Sequence, residues 1–357
     1  MRRLCAKSNP TAASSNACYA GAGLSTQPMK QPSTEWREDI ASDEDQRFTQ
    51  YANRFIEIQK QNSAKYGNGR GLHRKQLLGL NATFEVLGDL PAYAKHGLFA
   101  QPRKYDAWVR LSNGGMRVQE DSKPDIRGFA LKVRGLKGPG ALGTETNCQD
   151  FLLINLPAFS SPKSAEFVAL VSHLAQGPLS VLGYLFKTYG FSGALARMKK
   201  AKQSFGRPFT GFATEKFYTA APIKCGPYAC RVRMLPASDK PDPNASQSWA
   251  KDIQKRVSSG ALVHDFQLQF FVDEKTTPVE DASVDWPESE SPYVTVARLT
   301  IPQQAVEGPE VQKLQDEIDK AAFDPWGALE EHRPLGDVMR ARKYVYFASQ
   351  KTREATH

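Results

Sequence analysis

Arg342 and Tyr346 stand four residues apart in the run Arg333-Pro334-Leu335-Gly336-Asp337-Val338-Met339-Arg340-Ala341-Arg342-Lys343-Tyr344-Val345-Tyr346-Phe347-Ala348-Ser349. Pro334 and Gly336 break the chain and Asp337 suits a helix N-cap. No Pro or Gly follows, so the stretch from Val338 onward is expected to be one helix. On a helix such a spacing places both side chains on one face. A guanidinium held against a phenol oxygen favours the phenolate and lowers a pKa ordinarily near ~10. An anionic phenolate can serve as the axial ligand of ferric heme iron. The same spacing also joins Arg340 to Tyr344, so two registers are open. An Arg–Tyr pair on a terminal helix is more commonly a surface contact, and the chemistry has to find its other parts elsewhere in the chain.

His73 is one such part: it follows Arg70-Gly71-Leu72 and precedes the alternating run Leu80 to Leu87, which reads as a strand. By itself a histidine in a loop is usually solvated. Further short strands are expected at Asp106–Ser112, Asp125–Val133 and Asp150–Leu156, each closed by Gly, Asn or Pro. Strand patterns return at 216–220, 228–235, 265–273 and 293–301. Helical patterns fall at 43–65, 162–176, 177–205 with an interruption at Gly190, 249–258 and 311–323. Many short strands with helices between and after them indicate an α+β domain built on an antiparallel sheet or barrel. No repeat and no shift of composition divides the chain after a polar leader, so the expected organisation is a leader at 1–42 and a single domain at 43–357.

The net charge of +9 over 357 residues is moderate, and no aromatic-interleaved basic strand or zinc spacing points to nucleic acid. No run is long and apolar enough to predict a transmembrane span. The N-terminus has no continuous apolar segment of the secretory kind. The five cysteines include no CxxC; Cys225 and Cys230 flank Gly226-Pro227 and would pair only under oxidising conditions. Reduced thiols and the missing secretory segment favour the cytoplasm.

In this order the motifs resemble those of the catalase superfamily, over about residues 66–349. Arg70-Gly71-Leu72-His73 with Phe84-Glu85-Val86 resembles the segment carrying the distal histidine. Arg110-Leu111-Ser112 looks like the R-F-S strand, and Asp125-Ile126-Arg127-Gly128-Phe129-Ala130-Leu131-Lys132 resembles D-x-R-G-F-A-x-K, the most specific match. Arg342 to Tyr346 is similar to the proximal R-x-x-x-Y, and its setting between Pro334-Leu335-Gly336 and Ser349 favours Tyr346 over Tyr344, as in small heme-containing catalase relatives. The resemblance implies a catalase-like antiparallel β-barrel with surrounding helices, without the C-terminal helical region of full-length catalases, binding ferric heme b. It implies Tyr346 as the iron ligand, Arg342 as its partner, Arg70 and Arg110 on the propionates, and Phe159 on the heme face. His73 would be the distal acid–base, a role suited to a group titrating near neutral pH. Arg127 and Gly128 would shape the barrel.

One segment departs from the pattern. Catalases carry N-N-T-P before F-F-I-R-D, whereas this chain has Asn147-Cys148-Gln149-Asp150-Phe151-Leu152-Leu153-Ile154-Asn155. Asn147 falls on the first asparagine and Cys148 on the second, distal one; a one-residue shift would let Asn147 serve, and Gln149 is the other candidate. The activity implied is a heme-dependent hydroperoxidase acting on hydrogen peroxide or, through a more open pocket, on organic hydroperoxides. Alternatives are a fatty-acid hydroperoxide isomerase or dehydratase of allene oxide synthase type, and a heme-binding protein without turnover. The partner is then a small-molecule hydroperoxide, with homo-oligomer formation left open.

Overall fold

The computed structural model describes residues 30–206, 208–238 and 240–357, with only the backbone given for residue 200 and residues 203–206. Expectations for residues 1–29, including Cys5 and Cys18, lie outside the described residues.

The centre is a wholly antiparallel sheet. Its strands are β1 (Gln76–Val86), β2 (Arg103–Asn113), β3 (Arg127–Pro139), β4 (Glu145–Ile154), β5 (Phe217–Tyr218), β6 (Ile223–Cys225), β7 (Tyr228–Pro236), β8 (Leu262–Phe270) and β9 (Tyr293–Ile301). Their order is β5-β4-β3-β2-β1-β9-β8-β7-β6, and β5 also pairs with β7 through Phe217↔Met234 and Tyr218↔Arg233. That second pairing closes eight strands into a barrel and leaves β6 as an extra strand on the edge of β7. Closure removes the open edges that a sheet of this length would otherwise present. β6 was not expected from the sequence; it is short, and the turn Gly226-Pro227 joins it to β7, with Gly226 at φ 60°.

Alternation along the strands sorts the side chains. Val109 and Leu111, Phe129 and Leu131, and Phe151 and Leu153 point into the barrel and are buried. Phe84, Phe151 and Phe266 fill its middle, with Phe266 edge-on to Phe84 at 5.1 Å and to Phe151 at 4.7 Å between centroids. Burying each such ring contributes roughly 1.5–3 kcal/mol. The residues between them, Arg110, Ser112, Gly128, Ala130, Leu152 and Ile154, therefore point outward on β2, β3 and β4. Register aligns them across the strands as Arg110↔Ala130↔Leu152 and Ser112↔Gly128↔Ile154.

Helices cover that outer face: α1 (Glu44–Tyr66), α2 (Ser164–Gln176) and α6 (Asp337–Thr352). The remaining helices are α3 (Pro178–Gly206), kinked at Gly190, α4 (Trp249–Ser259) and α5 (Pro309–Lys320). Asp337 does not cap α6 as expected. Gly336 at φ 86° precedes the helix, and the N–H groups of Gly336 and Asp337 donate to Glu38 Oε1 (2.8 Å) and Glu280 Oε2 (3.1 Å). The Asp337 carboxylate instead accepts from the Ser164 N–H at 2.6 Å, satisfying an orphan donor at the start of α2.

Residues 30–42 form no helix or strand, as expected of a leader, but they are tied to the domain. Trp36 Nε1 donates to Pro227 O at 2.8 Å, and Glu38 pairs with Arg333 and Arg340. Among the described residues no helix is long and apolar enough to cross a membrane.

Candidate heme site

Between the outer face of β2–β4 and helices α1, α2 and α6 lies a cavity, partly open to solvent. One wall is α6, which presents Val338, Ala341, Arg342, Val345, Tyr346 and Ser349 along a single helical stripe. Arg342 Nη2 donates to the Tyr346 hydroxyl at 2.8 Å, and the guanidinium carbon sits 4.9 Å from the centre of the ring. Arg342 is steadied from behind by Met339 Sδ at 3.3 Å.

The competing pair lies elsewhere. Arg340 is turned away from the cavity into a cage of Glu38, Glu44 and Glu280, each at 2.7 Å. Tyr344 donates to Asp45 and packs on Phe48, with ring centroids 5.7 Å apart. Only one of the two registers opens onto the cavity, and it is the one ending at Tyr346.

His73 stands on the barrel wall. Its φ of 50° lies in the left-handed region, a conformation that costs on the order of 1 kcal/mol in a non-glycine residue. It is held there from both sides: the His73 N–H donates to Gly114 O at 3.0 Å, and His73 O accepts from Arg110 Nη2 at 3.0 Å. The ring reaches Ser112 Oγ through Nδ1 at 3.0 Å. It lies over Gly128, where a Cβ would fall 2.4 Å from Nδ1 and 2.6 Å from Ser112 Oγ. Gly128 therefore does more than shape the barrel: its missing side chain is the space the imidazole occupies. Burial, then the charges of Arg110, Arg342 and Arg70, push the His73 pKa down to about 3. The ring is neutral at neutral pH, which corrects the expectation of a group titrating there.

Arg70 and Arg110 converge at one edge of the cavity. Arg70 Nη1 and Arg110 Nη2 both donate to Asp319 Oδ1 of α5 at 2.9 Å. A further arginine, Arg353, joins them, donating to Lys320 O at 2.8 Å and Ala321 O at 2.9 Å. Among the described residues Asp319 is the one carboxylate that pairs with this group of three. Burial and then mutual repulsion hold Arg70 well below its ordinary pKa and Arg353 down to about 10. The site is thus short of negative charge. Arg353 was not singled out from the sequence; it is the residue that ends α6, eleven beyond Arg342, and it lines the same cavity.

Phe159 lines the cavity beside Phe167, their centroids 4.6 Å apart, and Phe55 stacks beyond Phe167 at 6.4 Å. Asn147 is not brought to the site. The β3–β4 hairpin is long, with a bulge between Arg134 and Gly138, so Asn147 lies exposed near its tip. Cys148 sits by Lys132 at 3.5 Å, and buried Gln149 accepts from the Leu329 N–H at 2.9 Å; neither lines the cavity. The amides that line the cavity are Gln59 of α1 and Gln350 of α6; Asn155 stands one residue past the lining residue Ile154. Its Oδ1 accepts from the Arg127 N–H at 2.8 Å, beside Gly128.

These donors suit a flat, apolar dianion with an iron at its centre. The apolar walls would take a macrocycle, the arginine edge two carboxylates, and Tyr346 the metal. Among the described residues no cluster of three or more His, Cys, Asp or Glu could hold a metal ion.

Solved structures share this arrangement of strands and helices. A fungal catalase superposes with a TM-score of 0.63 at 17% identity, covering 82% of this chain and 61% of its own. Catalase A from Saccharomyces cerevisiae gives 0.63 at 16% identity, covering 92% and 68%. A bacterial catalase gives 0.62 at 15%, covering 97% and 68%. The chain has a catalase-like fold. It spans about 61–68% of the length of these catalases. No protein-family profile and no curated protein sequence matches the chain. The likeness at these identities is one of fold; in that catalase-like frame the cavity lies on the outside of the barrel, under α6.

Proposed function

We propose that the protein is a heme-dependent hydroperoxidase acting on hydrogen peroxide or organic hydroperoxides. One observation carries the reading: Tyr346, gripped by Arg342, and His73, backed by Ser112, line opposite walls of one apolar cavity whose edge holds an excess of arginines. Tyr346 would ligate the iron as phenolate. Arg70, Arg110 and Arg353 would receive the propionates, which offset the positive charge their burial makes costly. Bound heme supplies the iron-centred redox chemistry that cleaves a peroxide bond.

The protein's own part is proton management. With Nδ1–H donated to Ser112 Oγ, His73 Nε2 presents its lone pair to the cavity. There it takes the proton from the proximal oxygen of an incoming hydroperoxide and returns it to the distal one, which leaves as water or an alcohol. Asn147, exposed on the β3–β4 hairpin, is left out of this chemistry.

The test is to purify the protein with hemin, record the ferric spectrum, and repeat with Tyr346→Phe and Tyr344→Phe. The reading expects a five-coordinate phenolate-type spectrum that Tyr346→Phe loses and Tyr344→Phe keeps. Failure to bind hemin overturns it. Product analysis with a fatty-acid hydroperoxide then separates an alcohol, as proposed, from an epoxide or rearranged product, which would assign isomerase chemistry instead.

A further inference from the structure

The large apolar side chains that the fold leaves outside gather on α3. Its first half exposes Leu179, Leu182 and Phe186 at helical spacing, and its second half Phe191, Leu195 and Met198. Gly190 separates the halves with φ 66° and ψ −177°, and Phe186 and Phe191 stack across the break at 5.7 Å. Leu179 is 84% exposed and Phe191 72%, so these side chains have no cover. Single exposed apolar residues are ordinary, but two aligned rows are not. α3 is fixed to α2, which also walls the cavity: His173 stacks on Tyr184 at 4.7 Å, and Glu166 accepts from Tyr189 at 3.0 Å and pairs with Arg197 at 3.2 Å.

The charge around these rows has one sign. From Glu166 to Glu215 the sequence has no acidic residue between, yet it carries Lys187, Arg197, Lys199, Lys200, Lys202 and Arg207. Lys187, Lys199 and Lys202 are exposed and have no ion-pair partner among the described residues. Two copies of the chain meeting through this face would bring two uncompensated basic rows together. Each half of α3 is too short to span a bilayer, so the element is built to lie on a surface rather than to cross it.

We propose that α3 docks the protein on an anionic lipid surface, with the leucine and phenylalanine rows set between headgroups and the lysines on lipid phosphates. This rests on surface geometry and charge and is independent of the peroxide chemistry. The test is flotation of the full chain with phosphatidylcholine vesicles containing about one-third phosphatidylglycerol, against pure phosphatidylcholine. The proposal expects binding to the anionic vesicles and loss of it at about 1 M salt, where the screening length falls to ~3 Å. Phe186→Ser with Phe191→Ser, and separately Lys199→Glu with Lys202→Glu, should each weaken binding by roughly tenfold or more, with circular dichroism and thermal midpoint unchanged. Wild-type protein that stays out of the anionic vesicles, or variants that bind as wild type does, would overturn it. So would a wild-type dimer that Phe186→Ser with Phe191→Ser dissociates while vesicles bind neither form, since the rows would then cover a second copy.

Discussion

At the scale of single residues, His73 and Gly128 form one device. The imidazole occupies the volume that any other residue at 128 would fill. His73→Ala should keep heme, since this side chain is not the proposed ligand, and should lose ~10²–10⁴ of peroxide cleavage per bound heme, the usual share of general acid–base catalysis. Gly128→Ala should resemble it, with heme retained and a loss on the order of 10² from a displaced ring. Rates per heme, measured by peroxide consumption against heme absorbance, check both; a Gly128→Ala enzyme at wild-type turnover would dissociate the ring position from catalysis. Because the His73 pKa is pushed to about 3, the wild-type rate should show no ionisation of this residue between neutrality and weak acid. The pairing of Arg342 with Tyr346 was legible because both lie on one helix, where spacing alone fixes the face. The placing of Asn147 outside the cavity was harder to read, since it depends on how far the β3–β4 hairpin extends, and no local pattern states that length.

At the scale of elements, α6 does two jobs with two faces. Its inner stripe lines the cavity, and its outer side carries Arg340 into Glu38, Glu44 and Glu280. This cage joins the leader, α1 and the 271–292 segment to the helix that bears Tyr346. Arg340→Met would leave buried Glu44 without its cation, while Glu38 keeps Arg333 and Glu280 keeps Lys163, and breaking a buried pair of this kind costs about 3–5 kcal/mol. Denaturant unfolding should show a loss of that size, whereas Tyr344→Phe, which gives up one partly exposed hydrogen bond to Asp45, should cost about 1 kcal/mol or less. Equal effects of the two substitutions would contradict the assignment of Arg340 as the clamp of α6. The sequence marked most strands and all six helices of the described residues through their periodicity. It did not mark this clamp, because its four members come from three distant stretches and carry no common spacing.

At the scale of the whole molecule, stability should depend on acid through histidines that the fold keeps neutral. His332 is wholly buried, and its two nitrogens are used in opposite senses: Nε2 accepts from the Leu98 N–H at 2.9 Å, and Nδ1 donates to Lys224 O at 3.2 Å. Protonation at Nε2 would set two donors against each other, and burial accordingly pushes the pKa down from 6.5 to about 4. His264 in the barrel is pushed to about 4 as well, mainly by burial. In each case the unfolded chain binds the proton first as pH falls. The native state is therefore fully favoured above ~6.5 and loses up to about 1.4 kcal/mol per pH unit for each group on the way down to about 4. Urea unfolding from pH 7.5 to 4.5 should show the midpoint falling through this window, against the smaller opposite contribution of Asp150, whose buried carboxyl is raised to about 6 and binds its proton first in the native state. His332→Gln keeps a side chain that can both donate and accept but removes the ionisable ring, so the variant should be less stable at pH 7.5 yet lose less stability on acidification. A variant that falls as steeply as the wild type would place the acid sensitivity elsewhere, in which case the Leu98–His332–Lys224 link would be a packing contact with no bearing on pH.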